Sequence, residues 1–91
     1  MISESVFSNE FEHAVTVMFR PPALHFSRSV RRCLDSDPDF LVRHEGEVLP
    51  ELRRYLQAAG IPLDEKNAND EMRHVLREVV IRLRSYEKGR E

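Results

Sequence analysis

The stretch "MRHVLREVVIRLRSYEK" (72–88) restricts the fold of this chain more than any other. Met72, Leu76, Val79, Leu83 and Tyr86 recur at spacings of four and three, which aligns them along one side of an α-helix. Val75, Val80 and Ile81 flank that seam and widen the apolar face beyond what one neighbouring helix shields. Asn67 or Asn69 can cap the start, and Asp70 and Glu71 suit the positive end of the helix dipole. Glu78 and Arg82 form a favourable i,i+4 pair, and Gly89 stops the helix. A helix this broad must either lie among several others or keep part of its surface for a partner.

Punctuation elsewhere comes at Pro21-Pro22, at "DSDPD" (35–39) and at "GIPLDEKNAND" (60–70). In "LPELRRYLQAAG", Leu49, Leu52, Leu56 and Ala59 share a face that Tyr55 widens. Pro50 then falls in the first turn of a helix and Gly60 at its end. In "PALHFSRSVRRCLDSD", Ala23, Phe26, Val30, Cys33 and Leu34 face one way, with Arg28, Arg31 and Arg32 mostly opposite. That is an amphipathic helix beginning just after Pro22.

Two segments are open to either reading. Residues 11–19 fit a helix through Phe7, Phe11, Val15 and Met18, or a strand in which Phe11, Val15, Val17 and Phe19 alternate. Residues 40–44 can open a helix after an Asp37 cap, or form a short strand before Gly46. The expectation is an all-α fold, a bundle of four or so helices in a single domain over residues 1–91. The alternative is α+β, with short strands at 11–19 and 40–44.

Bulk properties limit function more than they define it. Of the 91 residues, 41% are apolar, enough for one core, and 33% are charged, yet the net charge is only −2. Interleaved charge produces no strong field to draw in nucleic acid or anionic lipid. All basic residues but Lys66 and Lys88 are arginine, a side chain suited to interfaces. No apolar run approaches the roughly 18 residues of a membrane helix. The acidic "MISESVFSNEFEH" has no signal-peptide charge pattern, so a cytoplasmic location is expected.

Catalytic and metal chemistry find little support. Asp35, Asp37 and Asp39 alternate as in an EF-hand calcium loop, but its sixth position would be Phe40, where glycine is needed, and its twelfth Gly46, where glutamate is. Helix capping by Asp37, with Pro38 in the first turn, accounts for these acids better. His13, His25, His44 and His74 never fall at i,i+3 or i,i+4, and Cys33 has no second thiol. Cys33 reads as a small buried hydrophobe on the apolar face of "VRRCL". With three glycines, the chain has no phosphate loop. No enzyme activity, metal or cofactor is expected.

The span "VLPELRRYLQAAGIPLDEKNANDEMRHVLREV" resembles the helix–turn–helix of SAP-type DNA-binding modules through Leu52, Leu56, Gly60, Ile61 and Leu76. Its connection is longer, and the glycine and lysine that open the second helix of that motif are not both in place. The resemblance covers about a third of the chain and implies DNA binding.

The expected function is therefore a protein–protein interaction or regulatory module, an adaptor, with a homodimer through the C-terminal helix as one form of it. Tyr55, Val75, Val80, Ile81, Leu83 and Tyr86 are the candidate contact residues. The alternative is a small nucleic-acid-binding regulator using Arg28, Arg31, Arg32, Arg73, Arg77 and Arg84.

Overall fold

A computed structural model describes the backbone of residues 2–88 and the side chains of residues 10–88. The elements are α1 (Ile2–Val17), α2 (Ala23–Ser36), α3 (Phe40–Ala58) and α4 (Ala68–Lys88), with no strand among the described residues. The chain is thus a small all-α bundle. Residues 11–17 lie within α1 and 40–44 open α3, so both open segments are helical. Burial explains the first. Ala14, Val15 and Met18 are all inside, at the spacings of a helix face, and that packing outweighs the mild β preference of valine. Phe7 of the expected stripe lies outside the described side chains.

α4 is the central element, packed on each of the other three helices. Met72, Leu76, Val79 and Leu83 are buried as the seam demands, and Val75 and Val80 are buried with them. Covering each such side chain contributes about 1.5–3 kcal/mol. Of the two ways to satisfy so broad a face, α4 takes the first for Val75 and Val80: α1, α2 and α3 pack around it and cover both. Ile81 does remain 58% exposed. The seam also stops one residue early, because Tyr86 is 60% exposed, its ring edge-on to that of Phe19 with centres 5.7 Å apart.

Arginines of α4 reinforce this arrangement from the surface. Arg73 reaches Glu45 on α3 (Nη2–Oε1 2.9 Å), Arg84 reaches Asp35 on α2 (2.8 Å) and Arg82 reaches Glu12 on α1 (3.2 Å). Glu87 near the end of α4 receives both Arg28 and Arg31 of α2. Apart from the half-buried Arg31–Glu87 pair, pairs this exposed are worth about 0–1 kcal/mol apiece, so they set register more than they supply stability.

The connections follow local chemistry. The buried Ser27 hydroxyl donates to the Met18 carbonyl (2.9 Å), with the Ala23 carbonyl at 3.2 Å, tying the end of α1 to α2. Asp37 accepts the Asp39 amide on its side chain (3.0 Å) in a turn just ahead of α3; the cap position itself is Asp39, without a side-chain cap bond, so the expected Asp37 cap with Pro38 in the first turn is revised. Gly60, at φ 77°, lets the Ile61 amide donate to the Leu56 carbonyl (3.0 Å) and its own amide to that of Gln57 (3.0 Å). These are the paired bonds of a Schellman ending, completed by the buried Ile61.

Two further local expectations are revised. The helix assigned to 49–59 starts nine residues earlier, at Phe40, so Pro50 lies inside α3 rather than in its first turn. α3 accommodates this by bending: His44 leaves helical geometry (φ −118°, ψ 22°), and Gly46, whose carbonyl the Pro50 ring opposes, is exposed. Cys33 is exposed instead of buried, since the inward face of α2 runs through Ala23, Ser27 and Val30, and Cys33 lies off that line.

Candidate partner-binding groove

The surface opens where the end of α2, the start of α3 and the middle of α4 meet. The three-residue connection 37–39 brings Leu34 and Asp35 of α2 next to Leu41 and Val42 of α3, with Pro38 between them. α4 supplies Arg77, Val80, Ile81 and Arg84, spaced i, i+3, i+4 and i+7 and hence on one stripe of the helix. Together these residues line a groove of about 510 Å³. Val80 forms a buried part of the lining, Leu34 and Leu41 are half-buried, and Ile81 and Val42 stand out at 58% and 80% exposure. Apart from Tyr86, these two are the only large hydrophobic side chains so exposed among the described residues.

The charges around the groove are unequally satisfied. Arg84 is held by Asp35, which also receives Arg31 of α2 (3.6 Å). One turn before the groove, Arg73 bonds Glu45 in two-pronged fashion and also meets Asp70. The hydrogen bonds from Arg73 hold the Glu45 carboxyl below the usual carboxylate range, and Glu45 raises Arg73 in turn. Arg82, on another side of α4, is likewise raised by hydrogen bonds to Glu78 and Glu12. Arg77 has no ion pair or hydrogen bond among the described residues. The groove therefore presents apolar surface beside one unneutralised cation.

The expected contact residues do not share a surface. Val75, Val80 and Leu83 are core, which removes Val75 and Leu83 from any contact face and leaves Val80 only as groove lining. Tyr55 is half-buried against Phe26, with ring centres 5.5 Å apart. Tyr86 lies beside Phe19 and outside the groove. Only Ile81 is both expected and exposed there. Reasoning from sequence missed Leu34, Leu41 and above all Val42, whose segment had no settled secondary structure. The spacing of Arg77, Val80, Ile81 and Arg84 was the available signal.

Of the arginines considered for nucleic acid, Arg28 and Arg31 bind Glu87, Arg73 binds Glu45 and Arg84 binds Asp35. Arg32 and Arg77 alone of the six have no carboxylate within reach among the described residues. No three His, Cys, Asp or Glu side chains converge as metal ligands among the described residues, and no described helix is long and apolar enough to cross a membrane. No family model matches the chain, and neither a curated protein nor a solved structure matches it.

Proposed function

We propose that this chain is a small protein-interaction module, an adaptor or regulator, that engages its partner through the groove between α2, α3 and α4. The observation that carries this reading is the placement of Val42 and Ile81. Two large hydrophobic side chains on different helices stand exposed around a single depression. Exposed apolar residues scattered singly need no explanation, whereas convergent ones beside a concave surface mark contact sites. A cytoplasmic setting goes with this reading, because an exposed free thiol such as Cys33 stays reduced there. Nucleic-acid binding draws less support, since four of its six candidate arginines would have to leave carboxylates of the chain itself to reach phosphates.

A photo-crosslinking residue installed at Ile81 in cells, compared with one at the well-exposed Arg54, tests the reading. The expected result is a discrete protein adduct from position 81 that disappears when Val42→Asp is added. Equal yields from both positions, or no adduct from 81, would remove the groove as the contact surface.

A further inference from the structure

Building on that reading of the groove, we propose that its occupant is an α-helical segment of a different protein, carrying apolar anchors and a carboxylate that meets Arg77. Three observations on the groove converge on this chemistry.

The first is charge. Arg73, Arg82 and Arg84 of α4 each have a carboxylate from another helix, and Arg77 is the member of the series without one among the described residues. A guanidinium covered by a partner must be given hydrogen-bond acceptors, and a carboxylate matches its planar fork with two parallel bonds. Asp35, the one acid in the lining, is already shared by Arg84 and Arg31, so the free charge of the site is positive.

The second is shape. Part of the lining is a helix stripe at i, i+3, i+4 and i+7, and the remainder comes from the end of α2 with Leu34 and Asp35 and the start of α3 with Pro38, Leu41 and Val42. An apolar depression edged by helices is the kind of seat used in helix-in-groove recognition, where the bound helix inserts anchors about one turn apart. A depression of about 510 Å³ has room for such side chains.

The third observation argues against a second copy of this chain as occupant. In a two-fold pair the same patch meets itself, so two copies of Arg77 and Arg84 would enter one interface whose lining acids are the two Asp35 side chains alone. The like charges would repel, with Asp35 already engaged. The apolar side chains that stand out to offset this are Val42 and Ile81, the rest of the apolar lining being recessed, against about 800 Å² per partner in a stable interface.

The test uses a phage-displayed library of helical peptides of about 18 residues, randomised along one face and selected on the immobilised 91-residue chain. Enriched peptides are expected to carry two apolar residues one turn apart with Asp or Glu within the next turn. Their binding should fall at least about tenfold on Ile81→Asp, a loss typical of an anchor contact. On Arg77→Glu the preferred charge should change from acidic to basic, a switch that mere misfolding cannot produce. Circular dichroism is expected to show both variants as helical as the unaltered chain. Peptides that need Ile81 but show no acidic preference would overturn the carboxylate and leave the groove reading standing. Self-association by sedimentation that Ile81→Asp abolishes would replace the foreign helix with a second copy. No enrichment, or binding indifferent to Ile81, would sink the groove itself along with this inference.

Discussion

At the scale of the residue, Glu45 shows how the surface charges act on stability. Its carboxyl is lowered by the hydrogen bonds from Arg73, so its charged form is favoured in the folded chain. That contribution is complete above the ordinary carboxylate value of 4.5 and is lost as pH falls through the lower folded value. Glu71 behaves oppositely: burial raises its carboxyl, so its charge costs stability at neutral pH and acidification relieves the cost. Urea unfolding of the wild type and Glu45→Gln across a pH series separates the two. The wild type should be the more stable near neutrality, and the gap should close as pH drops below about 4.5. A gap independent of pH would mean that the Glu45–Arg73 pair contributes through packing alone. Such pairings were not legible in the chain as written. Glu45 and Arg73 are 28 positions apart, and only the folded arrangement brings them together.

At the scale of the element, glycine and proline acted as readable punctuation where their backbone role was local. Gly60 was expected to end α3 and does so at positive φ, because the Schellman bonds involve only residues 56–61. Pro50 misled for a similar reason. A proline beside an apolar periodic run resembles a helix start, and nothing local reveals that the preceding residues also coil and bend at His44. The two glycines of this region should respond oppositely to the same change. An added Cβ meets nothing at either position. Gly46→Ala, in a helix with ordinary φ, should stabilise by about 0.5–1 kcal/mol through lost unfolded-state freedom. Gly60→Ala, at φ 77°, should cost about 1–2 kcal/mol. Thermal melts of both variants check this, and melting shifts of the same sign would contradict the assigned backbone roles.

At the scale of the whole molecule, the question is where the apolar breadth of α4 goes. Sequence periodicity located that breadth correctly and left open whether other helices of the chain or a partner cover it. Three helices of the same chain cover most of it, and the width of the stripe records the central place of α4 in the bundle. What the pattern does not encode is which flank stays outside, since that depends on how closely α2 and α3 approach on either side. Val80 and Ile81, adjacent in sequence, fall on opposite sides of that boundary at 3% and 58% exposure. Urea unfolding of Val80→Asp beside Ile81→Asp tests the partition most directly. Val80→Asp should lose about 3 kcal/mol or more, the cost of an unpaired charge forced into a core, or fail to fold. Ile81→Asp should unfold within about 1 kcal/mol of the wild type, as a surface change does. Comparable losses at the two positions would mean that α4 does not divide into core and groove along this line.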